Sequence, residues 1–309
     1  MIAIKDLIVI TGPTASGKTA LSVRLAKELG AEIVNADSMQ IYKYMDIGTA
    51  KVTEDEMDGV VHHLIDVLEP DDDCNVSRFV EMAEKKIEEV SERGKLPVIC
   101  GGTGLYIDSL LKGAAFEDNS CDDDYRAELS KIADDKGAEY LHGMLKEVDP
   151  AAAENIHPNN IKRVIRALEF FHTTGQSITV QKQNTVNKKY NAFIIGMERD
   201  REKLYENINL RVDKMVDQGL FQEVESLLKK GYSLKSNSMQ AIGYREVIWY
   251  FKGKCTKEEA INLIKRNSRR YAKRQMTWFG ANESICWVNP QNLDAADEIL
   301  SKAKEEFNQ

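Results

Sequence analysis

The sequence predicts an α/β fold, a parallel sheet flanked by helices, with a helical insertion domain breaking the chain. Three observations predict it. Residues 7–10, Leu-Ile-Val-Ile, form an unbroken apolar run that ends at a glycine-rich stretch and leads into a segment of helical period. Residues 96–100 repeat the arrangement, again with glycines following. Between residues 116 and 190 strand-like runs vanish, and one returns at 192–197. The expected organisation is a core in two parts, 1–115 and 191–309, around an insertion spanning 116–190.

Each element has a local reason. Residues 18–29 place Leu21, Leu25 and Leu29 on one helical face, and 32–36 return to strand, completing a βαβ opening. Phe79, Ala83, Ile87 and Val90 mark a helix that Gly94 should end, and a helix over 105–111 should end at Gly113. Ile161, Val164, Ile165 and Leu168 give the insertion a helical stripe. Leu204, Ile208 and Met215 do the same for a helix starting near Asp200, and 285–288 is a late strand.

The stretch after the first strand is Gly12-Pro13-Thr14-Ala15-Ser16-Gly17-Lys18-Thr19, a complete G-x-x-x-x-G-K-[ST] loop, so the expected sheet is P-loop nucleoside-triphosphatase-like. Backbone N–H groups of such a loop point at phosphate oxygens, Lys18 spans two phosphates, and the Thr19 hydroxyl suits Mg²⁺, directly or through water. The following helix adds the field of its N-terminus. The pattern does not say which phosphate compound is held.

Composition narrows the classes. The chain has 309 residues with 42% hydrophobic and 30% charged, ordinary values for a globular protein. Neither a signal peptide nor a membrane span is read, so a cytoplasmic protein without a membrane partner is expected, and nothing demands more than a monomer. Cys74, Cys100, Cys121, Cys255 and Cys286 are scattered, and the five histidines lack metal-binding spacing, which points to reduced structural thiols and no transition metal. The net charge of −8 argues against a nucleic-acid partner only on average, because binding responds to a local face.

Loops after parallel strands gather at the carboxyl edge of a sheet, so three segments should converge: the phosphate loop, Asp37-Ser38-Met39-Gln40, and Gly101-Gly102-Thr103-Gly104. Asp37 suits a proton acceptor or a water-mediated magnesium contact, and equally an Asx turn. Thr103 is placed either to donate to an oxygen that gains charge or to cap a helix. The third loop lacks the acid that commonly ends this strand in ATPases, which disfavours ATP hydrolysis. Arg211 falls inside the apolar stripe of its helix and needs an anion, either a diphosphate or a structural carboxylate. Lys265, Arg266, Arg269, Arg270, Lys273 and Arg274 form a basic ridge with no acid from Ile261 through Asn282, and Lys162, Arg163 and Arg166 form a second group. A solvated helix would interleave carboxylates, so the ridge suits a polyanionic backbone.

Taken in order, these residues resemble the tRNA dimethylallyltransferase (tRNA isopentenyltransferase) family in its compact bacterial form. The likeness runs through the phosphate loop, Ala36-Asp37-Ser38-Met39-Gln40, Ile47-Gly48-Thr49-Ala50-Lys51, His63-Leu64-Ile65-Asp66, Gly101-Gly102-Thr103, Arg163-Val164-Ile165-Arg166-Ala167-Leu168-Glu169, Ala241-Ile242-Gly243-Tyr244 and Ala272-Lys273-Arg274-Gln275-Met276-Thr277-Trp278-Phe279. The resemblance implies transfer of a dimethylallyl group from dimethylallyl diphosphate to N6 of the adenosine 3′-adjacent to the anticodon, in tRNAs reading codons that begin with U, with diphosphate released and Mg²⁺ as cofactor. It implies Asp37 as general base, Thr103 at the bridging oxygen, and Lys18 and Arg211 with the residues from Gly12 to Thr19 on the diphosphate. It also implies Ser38, Met39 and Gln40 around the adenosine, with Arg163, Arg166, Arg269, Arg270, Lys273 and Arg274 on the tRNA anticodon stem-loop. Two positions depart from the family's common pattern. Gly104 stands where Met is frequent, which would loosen the helix start or enlarge the prenyl pocket, and Gly280 stands where Arg is frequent, which removes a phosphate contact.

Overall fold

The apolar runs of the sequence become one six-stranded parallel sheet in the order β3-β2-β4-β1-β5-β6. The structure, a computed structural model, describes residues 5–113, 122–181, 189–290 and 295–307. Its strands are β1 (Lys5–Thr11), β2 (Glu32–Asn35), β3 (His62–His63), β4 (Pro97–Cys100), β5 (Tyr190–Met197) and β6 (Ile285–Val288). Central strands of a parallel sheet are buried on both faces and need continuous apolar runs. Leu7, Ile8, Val9 and Ile10 accordingly have no exposed surface. Helices α1 (Lys18–Leu29) and α14 (Ala295–Glu306) cover one face through Leu21, Leu25, Ile299 and Ala303, which pack with Ile8, Ile10, Ile33 and Val98. Helix α3 (Val76–Glu92) packs on β2 and β4 and buries Phe79, Ala83, Ile87 and Val90, the stripe read from sequence. Gly94 follows it at φ 69°.

Two short elements gave no sequence signal, α2 (Glu54–Met57) and β3. A two-residue strand is too short to show alternation. Its identity comes from pairing: Ile33 and Val34 of β2 lie opposite His62 and His63. Helix α4 (Gly104–Lys112) follows β4 as expected. Beyond β5 come α10 (Arg201–Asp217), α11 (Leu220–Lys229), α12 (Tyr244–Phe251) and α13 (Lys257–Phe279). The last has 23 residues and begins with a reciprocal capping box, in which Thr256 and Glu259 each accept the other's backbone N–H. Among the described residues, no helix is long and apolar enough to cross a membrane.

The chain divides into two compact units, residues 1–111 with 189–309, and residues 112–188. In the second, α5 (Asp123–Lys136), α6 (Ala138–Val148), α7 (Pro150–Asn155), α8 (Ile161–Thr174) and α9 (Ile178–Gln181) surround a core of Leu129, Leu141, Leu145, Val164 and Leu168. Residues 114–121 and 182–188, and with them Cys121, lie outside the described residues. The other four cysteines are free.

One buried carboxylate ties the sheet edge together. Glu32, 4% exposed, accepts from Arg93 at 2.6 Å and Lys95 at 2.9 Å, and contacts His63 Nε2 at 2.7 Å. Burial opposes its ionisation, but the bonds from Arg93, His63 and Lys95 outweigh it and hold the carboxyl at about 2. Glu32→Gln should therefore lower the unfolding free energy by roughly 2–3 kcal/mol at pH 7. Because the folded pKa is depressed, this contribution is full above the unfolded value of 4.5 and is lost as pH falls through about 2. Urea titrations of the two proteins should converge over that window, and a constant gap would refute the assignment.

Candidate active site

The carboxyl ends of β2, β4 and β1 are neighbours in the sheet, so the three segments that follow them meet. Their backbones nearly touch. Gly101 N–H donates to Ile10 O at 3.1 Å, Ala36 N–H to Cys100 O at 2.8 Å, and the Thr11 hydroxyl to Gly101 O at 3.2 Å. A Cβ on Gly101 would lie 2.2 Å from Ala36 O, so only glycine permits this approach.

In the phosphate loop Gly17, at φ 99°, caps α1 without a side chain, so the helix N-terminus stays open toward a ligand. The Lys18 ammonium folds back on the loop, donating to Gly12 O at 3.0 Å and Pro13 O at 2.7 Å. Burial, reinforced by Arg211, lowers its pKa to about 8 against the opposing pull of Cys100 and Asp37. The Ser16 hydroxyl is buried without a hydrogen-bond partner, an orphan that a phosphate oxygen would satisfy. Thr19 stands exposed at the first turn of α1. Arg199 Nε braces the loop from outside by donating to Ser16 O at 3.0 Å.

Across the sheet end, Asp37 Oδ1 accepts from Met39 N–H at 2.8 Å and Gln40 N–H at 3.4 Å, forming the Asx turn foreseen as one reading, while Oδ2 takes no hydrogen bond from the described residues. The Thr103 hydroxyl oxygen accepts Ser38 N–H at 3.1 Å, so its proton is turned away from that contact. Tyr271 joins this group. Burial and the Asp37 charge push its phenol up to about 12, opposed by a hydrogen bond with Thr103.

A cavity of about 500 Å³ opens beside these groups, lined among others by Thr14, Asp37, Ser38, Met39, Arg211 and Tyr271. Arg211 does not point into the core as its place in the stripe suggested, nor does it form an ion pair with a carboxylate among the described residues. The buried line of α10 is Leu204, Ile208 and Val212, and Arg211 projects from the cavity side, donating to Thr14 Oγ1 at 3.3 Å. Protein on several sides desolvates its charge enough to lower its pKa, with Glu56 and Asp37 pulling the other way.

Other sequence-selected residues divide. Gln40 turns away from the cavity and donates to Thr49 O and Ala50 O at 3.2 and 3.0 Å. The two rows of the basic ridge enter different surroundings. Arg270 and Arg274 line the cavity, whereas Lys265 pairs with Asp213 at 2.6 Å and Arg269 donates to Asn209 at 2.6 Å, both on α10. Lys273 is exposed. In the second unit, Arg163 is exposed, but Arg166 joins Arg126 on the fully buried Glu169. At Gly104 the Trp278 indole, which donates to Asp108 at 3.2 Å, occupies the space a side chain would need, so the glycine leaves no added room there.

Sequence reasoning missed two organising residues. Gln275, 5% exposed, accepts Thr14 N–H at 2.9 Å and donates to Gly102 O at 2.8 Å, joining the first and third loops. Glu223 on α11 accepts the N–H groups of Asp46, Ile47 and Gly48 at 2.7–3.0 Å and the Tyr244 hydroxyl at 2.7 Å, which fixes the turn carrying Gly48 and Thr49 into the cavity wall. Both bonds cross long sequence separations, so no local pattern announces them.

A parallel sheet carrying this loop at the end of a central strand, beside a cavity, defines a P-loop-type α/β protein. A family model described as IPP transferase matches residues 40–282. The sequence is 49% identical over 301 residues to a tRNA dimethylallyltransferase of Acetivibrio thermocellus, covering 97% of this chain and 96% of that one. It is 51% identical over 297 residues to that of Bacillus cereus, covering 96% and 93%. The crystal structure of a tRNA isopentenylpyrophosphate transferase from Bacillus halodurans superposes with a TM-score of 0.74 at 43% identity, covering 98% of each chain. A eukaryotic dimethylallyltransferase seen acting on tRNA gives a TM-score of 0.84 at 26% identity, covering 99% of this chain and 80% of that one. The chain belongs to the tRNA dimethylallyltransferase, or IPP transferase, family.

The close approach at Gly101 yields a direct check. Gly101→Ala should lower the thermal midpoint by roughly 5–10 °C, whereas Gly143→Ala, on an exposed helical position with nothing within 4 Å of the added carbon, should shift it by less than about 2 °C. Equal shifts in a thermal scan would mean that the strand ends can separate without cost.

Proposed function

We infer that this protein is a tRNA dimethylallyltransferase, an enzyme that transfers a dimethylallyl group to tRNA. The observation that carries the finer reading is the meeting of Thr14 of the phosphate loop, Arg211 and Asp37 around one cavity, with Lys18 within electrostatic reach of Arg211 and Asp37 and Thr103 bonded to the lining residue Ser38. On that reading the donor is dimethylallyl diphosphate and the acceptor is N6 of the adenosine 3′-adjacent to the anticodon, in tRNAs reading codons that begin with U. The working location is the cytoplasm and the working form a monomer.

The chemistry is a displacement at the prenyl C1. Its bond to the bridging oxygen breaks, the electron pair leaves with diphosphate, and N6 forms the new bond as Asp37 Oδ2 takes its proton. An amine conjugated to a purine is a weak nucleophile, so a positioned base matters. Lys18, Arg211 and the loop N–H groups stabilise charge on the departing diphosphate, and the Thr103 hydroxyl, turning its proton from the Tyr271 oxygen, serves the bridging oxygen. A base must leave its stack to reach Asp37, and Ser38 and Met39 line the space it would enter. Arg270, Arg274, Lys273 and Arg163 are the exposed cations that suit tRNA phosphates, with Arg269 and Arg166 as partners already engaged by protein.

The residues also suit magnesium. The Thr19 hydroxyl, exposed at the first turn of α1, is the group that would hold the ion, with diphosphate and water supplying the oxygen ligands Mg²⁺ prefers. When bound it supplies neutralising charge for the leaving group.

The test is incubation with dimethylallyl diphosphate, Mg²⁺ and unmodified tRNA, followed by nucleoside mass analysis. A prenylated adenosine is expected, and its absence with every such tRNA would reject the reading. Asp37→Asn isolates the base, because the amide oxygen still accepts the Met39 and Gln40 N–H groups that Asp37→Ala would abandon. Turnover should fall roughly 10²–10⁴-fold with tRNA affinity unchanged. Donor affinity should depend on pH through Lys18. The free ammonium is lost as pH rises through about 8, and bound diphosphate restores it, so binding takes up a proton above that pH. The donor Kd should be flat below pH 8 and rise about tenfold per pH unit above it, a dependence that Lys18→Met should abolish.

A further inference from the structure

We propose that Gln275 is a positioning residue for prenyl transfer: its amide sets the register between the loop that holds the donor's diphosphate and the loop that carries Thr103. This rests on the function inferred above. The geometry leaves the amide one orientation. Thr14 N–H can only donate and Gly102 O can only accept, so Oε1 faces the first and Nε2 the second, at 2.9 and 2.8 Å. Each partner is one bond from a reacting group. Thr14 Oγ1 accepts from Arg211 at 3.3 Å, and Gly102 precedes Thr103, whose hydroxyl accepts from Ser38, the neighbour of Asp37.

Arg211, Thr14, Gln275, Gly102, Thr103 and Ser38 thus form one continuous series of bonds with a single side-chain amide at its centre. Pro13 has no N–H, and Gln275 consumes the N–H of Thr14, so the donor's phosphates meet the loop from Ala15 onward. The loop's second and third residues are given to alignment. Gln275 is 5% exposed and touches no reacting atom, and a Cβ on Gly102 would lie 2.2 Å from its Nε2. The two loops are separated by about 90 residues of chain and joined here by a third segment, so the distance between leaving group and Thr103 answers to this side chain.

Two substitutions separate alignment from packing. In Gln275→Met the volume is kept and both bonds are lost. In Gln275→Glu the ionised carboxylate still accepts Thr14 N–H but faces the lone pairs of Gly102 O, and once protonated it donates to that carbonyl as the amide did. Expected for both at pH 8 is a kcat reduced roughly ten- to a hundredfold with tRNA Kd within about threefold of wild type. The ratio of the Gln275→Glu kcat to wild type should then climb as pH falls toward 5, while the Gln275→Met ratio stays level. A side chain that merely packs would give two level ratios, and that result, or a kcat near wild type in both variants, overturns the proposal. Should either variant fail to fold by circular dichroism, Gly102→Ala displaces the amide without altering Gln275 and should show the same loss of kcat with tRNA affinity kept; retention of kcat there is equally decisive against it. Wild-type protein in the same assay keeps the two readings apart, since no prenylated product from wild type rejects the function, and product with indifferent variants rejects only the role of Gln275.

Discussion

The site depends on how closely three strand ends can approach. Parallel strands sit side by side at a fixed spacing, so the loops leaving β2, β4 and β1 must begin within one or two residues of each other, and any side chain in that gap forces them apart. Gly101 is the point of closest contact, with Ala36 O where a methyl group would go. Gly12, at φ 140°, makes a comparable approach to the end of β5, where a Cβ would be 2.9 Å from Met197 O. From these contacts follow the nearness of Asp37 to Thr103 and of both to the phosphate loop. A parallel sheet supplies that meeting as a consequence of its topology, and the glycines allow it to be tight.

A second constraint acts on the cavity wall opposite. Between residues 44 and 66, Tyr44, Ala50, Leu64 and Asp66 hold φ between 48° and 64°, a left-handed conformation that costs a side-chain-bearing residue about 1 kcal/mol each. Two charged side chains offset this. Lys51, 9% exposed, donates to Tyr42 O and to the carboxylates of Asp46 and Asp66, and Glu223 collects three successive N–H groups and the Tyr244 hydroxyl. The Tyr244 ring lies against Gly48, where a Cβ would be 2.5 Å away. Charge-assisted bonds of this kind are about twice as strong as neutral ones, enough to hold a turn that its own backbone disfavours. The functional result is that Gly48 and Thr49 face the cavity from a fixed position.

What was legible in the sequence follows from this division. The phosphate loop, the Asp37 segment and the Gly-Gly-Thr loop are each contiguous, and their chemistry is local, so residue type and spacing reveal them. The strands that carry them are long enough to show as apolar runs. Gln275 and Glu223 were not legible, because their partners lie 261 and 175 residues away and neither breaks a local rule. Gln275 sits in sequence beside the basic residues of α13, and its burial is visible only once that helix is laid against the loops. Arg166 and Gln40 show that a motif residue can also be engaged by protein. Both sit inside motifs that suggested substrate contact, yet Glu169 and two backbone carbonyls respectively had prior claims on them. A motif fixes which residues are present, and competition among neighbours decides which of them stay free.

Charge shows the same competition at larger scale. The chain carries a net −8, yet the residues lining the cavity include Arg211, Arg245, Arg270 and Arg274 against the single carboxylate of Asp37. Arg245 is neutralised by the fully buried Glu246, which also takes Asn267 Nδ2, and Lys265 on the next turn of α13 is neutralised by Asp213. The surplus therefore narrows to Arg211 at the phosphate loop and to Arg270 and Arg274 along α13. A concave wall bearing three such cations focuses a positive potential that the molecule's average conceals. Anionic groups are drawn to it, whereas Asp37, among the described residues, forms no ion pair with any of these arginines: its Oδ1 is held by backbone N–H groups. Keeping the cations engaged with Thr14, Glu246 and solvent, and the carboxylate engaged with backbone, is what allows opposite charges to share one cavity without cancelling.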